Sequence, residues 1–372
     1  MLVVERTESC LSFHSLLPNS PRQVQNLMPM TRSQEFFIQC HLTERCNLNC
    51  RHCYQTGKKT AEMSLSEIRD IATEVSDMIE QWSEAYGMVF SSSFNVTGGE
   101  PFLRRDIFGI LEEITKHGFE VYLLTNGILL DRDRATRLSE LGVKGVQVSI
   151  EGPEAVHDSI RGKGSFSSAL KGVQCLLDAG VVVTLNMTLS AINADCFLEM
   201  VELCRSLGVQ KLGFSRLVPS GRGKDLLESM LDTAQVRELY QSIFSADTKG
   251  VVLSTGDPVA AQMSTQVNGD EGSVPCGGCA AGLSGLTILP DGTVTPCRRL
   301  PIPIGNVRED SLREVWATSP VLSALRDRSR YKGKCGTCKR WANCRGCRAI
   351  AHVYSRSHGN NDFLAEDPQC FL

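Results

Sequence analysis

Between about residues 36 and 248 the chain alternates six short β-rich runs with longer stretches of helical period, and this rhythm leaves few folds open. The runs are FFIQCHLT (36–43), SSFNVTG (92–98), EVYLLTNG (120–127), GVQVSIEG (145–152), VVVTLNMTLS (181–190) and VQKLGFSRL (209–217). Between the first two, Ile68, Ile71, Val75, Met78, Ile79 and Trp82 recur at three- and four-residue steps, behind Ser64 and Glu67 in capping-box positions. Such units predict an α/β domain on a parallel sheet, as a barrel or an open sheet. Either form places its site where polar and glycine-rich residues follow the strands. Those residues are Gly98, Gly99, Glu100 and Pro101 after the second run, Asn126 and Gly127 after the third, and Ser149, Glu151 and Gly152 after the fourth. Glycines let the backbone approach a ligand, and a carboxylate accepts from an ammonium or a hydroxyl group. Taken alone, GGEP also reads as a plain strand-to-helix turn with Pro101 opening the helix.

The first run leads into CNLNCRHCY, with Cys46, Cys50 and Cys53. Three thiolates at these spacings can hold three irons of a cubane. Such clusters normally take four thiolates, so a close set without a fourth suggests an iron reserved for an external ligand. Zinc also accepts thiolates, although its knuckles usually pair two Cys-x-x-Cys turns. After residue 250 the βα rhythm stops. NGDEGSVPCGGCAAG reads as a loop and LTILPDGTVTPC as a hairpin around Asp291 and Gly292. Cys276, Cys279 and Cys297 fall here, followed by Cys335, Cys338, Cys344, Cys347 and Cys370. Two zinc knuckles in a small ribbon would suit these pairs as well. The remaining five of the sixteen cysteines, Cys10, Cys40, Cys175, Cys196 and Cys204, are expected to pack as small hydrophobes.

The chain has 372 residues, enough for one large domain and a smaller one. We expect an N-terminal extension (1–35), a core (36–248) and a cysteine-rich region (249–372). With 39 Lys and Arg against 42 Asp and Glu, no basic field suits a nucleic acid. The absence of a signal-peptide core and of any run of eighteen apolar residues predicts a soluble, cytoplasmic protein with no membrane partner. In a reducing compartment, clustered cysteines point to metal binding rather than disulfides.

The order of these motifs resembles the radical S-adenosylmethionine (radical SAM) enzymes, and the second cysteine field resembles their SPASM extension; the likeness covers about residues 36–372. The resemblance implies a partial (βα)6 TIM-like barrel with a C-terminal iron-sulfur domain. It also implies a 4Fe-4S cluster on Cys46, Cys50 and Cys53 that binds S-adenosylmethionine and yields a 5'-deoxyadenosyl radical. Tyr54, Gly98, Gly99, Glu100, Asn126, Ser149, Glu151 and Arg161 match positions around that cofactor. Carried over by position, Cys276, Cys279, Cys297 and Cys347 would hold one auxiliary cluster, and Cys335, Cys338, Cys344 and Cys370 another. Arg345 and Gly346 supply two residues where the family commonly has three, which leaves an open iron or exchanged ligands possible. The leading expectation is modification of a ribosomal peptide or a protein. Its rival is tailoring of a tetrapyrrole, for which LVPSGRG (217–223), the CRGCRA and AEDPQC stretches, and Arg216, Arg222, Arg298 and Arg299 argue. A third reading is a non-catalytic metal-binding scaffold. The expected electron donor is flavodoxin or ferredoxin, and no general base is named by the residues.

Overall fold

The computed structural model describes residues 33–57, 60–263 and 277–372. Cys10, Cys276 and the N-terminal extension up to residue 32 lie outside the described residues. A ten-stranded sheet forms the centre. Its strands in chain order are β1 (Ser33–His41), β2 (Val89–Thr97), β3 (Glu120–Thr125), β4 (Gly145–Ser149), β5 (Val183–Leu189), β6 (Lys211–Arg216), β7 (Val252–Thr255), β8 (Gly285–Ile288), β9 (Thr293–Thr295) and β10 (Gly305–Asn306). Across the sheet they run β10-β9-β8-β1-β2-β3-β4-β5-β6-β7, so the parallel array is open rather than closed.

All six expected strands are present. Strand β7 adds a seventh beyond the six expected; only four residues long and running straight into the Gly256–Asp257–Pro258 turn, it carries little sequence pattern of its own. The predicted hairpin is β8–β9, and it joins the same sheet: β8 pairs in parallel with β1, Phe37 opposite Gly285. A Cβ at Gly285 would stand 2.3 Å from the Phe37 carbonyl oxygen, so only glycine permits this pairing. The cysteine-rich region therefore completes the sheet of the preceding domain.

The helices α1 (Leu65–Tyr86), α2 (Ile107–Lys116), α3 (Arg132–Glu140), α4 (Glu154–Arg161), α5 (Ser165–Asp178), α6 (Phe197–Leu207) and α7 (Thr233–Ser245) follow in chain order. Helix α1 begins at the expected capping box, in which the Glu67 amide donates to Ser64 Oγ (3.3 Å) and the Ser64 amide to Glu67 Oε2 (2.7 Å). It buries Ile68, Ile71, Ala72, Val75 and Met78. Further on come α8 (Leu312–Thr318), α9 (Pro320–Arg326), α10 (Gly333–Thr337) and α11 (Arg348–Ser357). Trp316 of α8 stands edge-on to Phe36 of β1 (4.9 Å between centroids), which binds the C-terminal region into the main core. Cys40 and Cys204 are fully buried, and burial pushes both thiols up to about 12, the state of an inert packing cysteine. Cys175 and Cys196 pack against the same core. Among the described residues no helix is long and apolar enough to cross a membrane.

Candidate active site

The strands open at their C-terminal ends into a cavity lined by Cys46, Cys50 and Cys53 together with residues of β2 through β6. The loop carrying these cysteines is fixed against GGEP. The Gly99 amide donates to the Thr43 carbonyl (2.6 Å) and the Glu100 amide to that of Arg45 (2.8 Å). A Cβ on Gly99 would fall 2.1 Å from the Arg45 oxygen, and one on Gly98 2.8 Å from that of Thr43. Both glycines line the cavity as well, so the close approach that they permit serves the cysteine loop from one side and the cavity from the other. The far side of the loop is clamped by the SGRG stretch. The Gly223 amide donates to the Cys53 carbonyl (3.0 Å) and the Arg222 amide to that of Gln55 (3.1 Å).

Asn126, Ser149, Arg161 and Tyr54 line the cavity. Asn126 Nδ2 lies 2.8 Å from Asn47 Oδ1 and 3.9 Å from Cys46 Sγ. Glu100 and Glu151 differ from expectation: both are fully buried behind the cavity wall, their oxygens already engaged. Glu100 accepts from Thr125 Oγ1 (2.8 and 2.9 Å) and from the amides of Asn126 (2.9 Å) and Phe102 (3.2 Å). Burial outweighs these bonds and raises its carboxyl to about 7. Glu151 Oε1 accepts from Arg161 Nη2 (2.6 Å) and Nε (3.0 Å), and Oε2 from the Thr188 amide (2.7 Å). Burial would raise this carboxyl, but Arg161 and His52 hold it well below the usual range. Arg161 Nη1 in turn lies 3.8 Å from Cys50 Sγ. Glu100 and Glu151 thus position other groups, because a carboxylate so deeply buried must take its hydrogen bonds from the protein.

His52 was not anticipated. It lines the cavity with Nε2 3.2 Å from Glu151 Oε1, while Nδ1 is buried without a partner. Its signal was its place between Cys50 and Cys53. Gln147, Asn186, Thr188 and Ser215 also line the cavity; polar side chains at alternate positions of otherwise apolar strands marked them in the sequence.

Among the arginines expected to meet a substrate, Arg216 does not line the cavity. It is 1% exposed and fully committed to Asp257 (2.6 Å), Asp367 (2.8 Å) and Gln369 (2.8 Å), so it offers nothing to a substrate. Arg222, Arg298 and Arg299 do line the cavity. Arg298 lies 5.7 Å over the Tyr54 ring, and Arg299 reaches Ser215 Oγ (3.4 Å) and the Arg216 carbonyl (3.3 Å).

Behind this wall lie the C-terminal cysteines. Cys347 and Cys297 share a small apolar cluster with Val218 and Leu300, and both thiols are within electrostatic reach of Arg299. Gln262 Nε2 touches Cys344 Sγ (3.7 Å) and Cys370 Sγ (3.3 Å), and Arg348 Nη2 lies 3.6 Å from Cys335 Sγ. Burial pushes the thiols of Cys344 and Cys347 up to about 12, so without a metal they would stay protonated beside cations that need anions. An all-thiol donor set with cations beside the sulfurs fits iron-sulfur clusters. In the cavity, the partnerless Nδ1 of His52 and Nε of Arg222 and Arg299 fit a polar ligand beside the cysteine loop.

A parallel α/β sheet that carries three thiols at the mouth of a polar cavity, with a second thiol field behind it, defines an iron-sulfur enzyme that binds a polar cofactor. Comparison with known proteins narrows the class: the chain belongs to the radical SAM superfamily, whose family model matches residues 41–204, and it carries a SPASM iron-sulfur cluster-binding domain, matched over residues 279–348. Its cofactors are accordingly 4Fe-4S clusters and S-adenosylmethionine. The AdoMet-dependent heme synthase of Oleidesulfovibrio alaskensis is 30% identical over 96% of this chain and 91% of that protein. The mycofactocin maturase MftC of Mycobacterium tuberculosis (strain H37Rv) is 33% identical over 82% of this chain and 76% of its own. In fold, the chain is similar to Streptococcus suis SuiB bound to S-adenosylmethionine, with a TM-score of 0.71, 18% identity, and coverage of 91% of this chain and 78% of that one.

Proposed function

We propose that this radical SAM enzyme modifies a carboxylate-bearing tetrapyrrole. The observation that carries the reading is the set of Arg222, Arg298 and Arg299 at the cavity: among the described residues none of the three is ion-paired. Buried or half-buried guanidinium groups want anions, and planar carboxylates suit them. Alignment with a heme synthase over nearly the full length of both chains supports the same substrate class. Modification of a peptide, the leading expectation from the sequence, is the second reading, supported by the 33% identity to a mycofactocin maturase.

In this reading Cys46, Cys50 and Cys53 hold the cluster that binds S-adenosylmethionine, and Gly98, Gly99, Asn126, Ser149, Arg161 and Tyr54 surround that cofactor. Together the two groups supply a hydrogen-abstracting adenosyl radical. Glu151 fixes the direction of Arg161 toward Cys50, and Glu100 fixes the turn bearing Asn126. Arg222, Arg298 and Arg299 orient the substrate carboxylates, while Leu124, Leu217 and Val218 limit water around the reacting carbon. Cys279, Cys297 and Cys347, with Cys276, hold one auxiliary cluster, and Cys335, Cys338, Cys344 and Cys370 the other. A flavodoxin or ferredoxin supplies the electron. The radical core (36–248) and the cluster region (249–372) are functional divisions of one sheet-bearing body.

The test is binding of an iron porphyrin with four propionates, followed by its absorbance shift. Tight binding that weakens in Arg222→Ala and Arg298→Ala supports the reading. No shift with the reconstituted protein would sink it and leave peptide modification.

A further inference from the structure

Arg345 combines three features that each work against stability. Its backbone is in the left-handed region at φ 59°, its side chain is only 1% exposed, and among the described residues no carboxylate pairs with it. The turn from Cys344 to Cys347 takes two successive left-handed residues, and glycine supplies only the second, Gly346 at φ 60°. The Arg345 guanidinium donates to the carbonyls of Cys279 and Ala342, the latter at 3.4 Å, and lies 5.7 Å from the Trp341 ring; Nε has no partner. The side chain therefore spans from the Cys344 turn to Cys279, between the two proposed thiol sets.

Arg348 is equally buried and has no ion-pair partner among the described residues; it bonds backbone carbonyls and lies 3.6 Å from Cys335 Sγ. The acid nearby, Asp367, already accepts from both terminal nitrogens of Arg216 and from the Cys347 amide (2.7 Å). Two buried cations thus lack a protein anion. A cubane on four thiolates is an anion, and one-electron reduction makes it more negative still, so nearby cations favour the reduced form.

We infer that Arg345 sets the reduction potential of the auxiliary clusters, raising it through the charge it holds between them. The step is the uptake of one electron from an external reductant, with no bond made or broken. The inference rests on the assignment of the C-terminal thiols to clusters given under the proposed function.

The experiment is a mediated redox titration of the reconstituted, full-length protein with dithionite, followed by electron paramagnetic resonance, on the parent and on Arg345→Gly, Arg345→Met and Arg345→Lys. The glycine variant removes the charge and the left-handed strain, and the lysine variant keeps the charge, so iron content and midpoint read together separate an electrostatic role from an architectural one. Expected is full auxiliary iron in Arg345→Gly, with reduction disfavoured at least tenfold, ~59 mV for a one-electron couple, and a parent-like potential in Arg345→Lys. Auxiliary midpoints that match the parent in Arg345→Gly would overturn the inference. So would loss of auxiliary iron in both the Gly and Lys variants, which would make the role purely architectural. A parent without auxiliary signals would sink the cluster assignment itself, and the inference with it.

Discussion

Arg216 and Asp367, at the end of β6 and near the C-terminus, form a two-pronged ion pair (Nη2 to Oδ2 2.8 Å, Nη1 to Oδ1 3.1 Å) whose side chains are 1% and 0% exposed. Arg216 also holds Asp257, to which Tyr240 donates at 2.7 Å. Asp367 in turn receives the Cys347 amide. One guanidinium therefore ties the sheet to the segment carrying the last cysteines.

Replacing Arg216 by Met leaves two buried carboxylates without their counter-charge. Breaking a buried pair in this way costs roughly 3–5 kcal/mol. We expect a large fall in the denaturation midpoint, and iron lost from the C-terminal sites before it is lost from Cys46, Cys50 and Cys53. Iron analysis and electron paramagnetic resonance on the variant check this; unchanged auxiliary signals would contradict it.

Gly99→Ala should act on the cysteine loop. The new Cβ meets the Arg45 oxygen at 2.1 Å, so the loop must move away from β2. The expected result is reduced loading of the first cluster in a protein whose circular dichroism remains close to that of the parent. Parent-like iron content and cofactor cleavage would show that the contact is dispensable.

Glu100 gives a pH dependence of definite sign. Its folded carboxyl lies near 7, above the ordinary 4.5, so the folded state holds a proton that the unfolded chain has released. Its contribution is fully present below 4.5 and is lost as the pH rises through 7. At 1.36 kcal/mol per unit, the effect is on the order of 3 kcal/mol. Glu100→Gln should flatten the stability profile between pH 4.5 and 7, as measured by urea midpoints; an identical slope in both proteins would refute the assignment.

Arg298→Ala should weaken binding of an iron porphyrin bearing propionates. A charge-assisted hydrogen bond contributes about 1.5–3 kcal/mol, roughly tenfold to a hundredfold in affinity. Arg298→Lys should recover part of this, since charge remains but the planar fork does not. Arg216→Lys, by contrast, should not change the affinity of whatever protein remains folded.

Much of this architecture was legible beforehand because it rests on local pattern. The alternation gave six strands, and the Ser64–Glu67 pair gave the start of α1. What escaped was set by distant partners. Strand β8 lies against β1 because Gly285 accommodates Phe37, a relation that no local window contains. Arg216 looks in sequence like the three cavity arginines, since only tertiary structure reveals Asp257 and Asp367 beside it. Glu100 and Glu151 lie in the expected region but are fully buried beneath the cavity lining, and a sequence does not say which acids are buried. His52 had the position but no pattern that singled it out.

The pairing of Phe37 with Gly285 also protects an edge of the sheet. The strand leading into the cysteine loop pairs with β2 on one edge, while its other edge is covered by a much later segment of the chain. Without β8 that edge would be bare and able to recruit a wrong strand. Docking of β8 therefore does more than extend the sheet: it closes an edge, beside the strand that leads into the cysteine loop, that would otherwise be open to another chain.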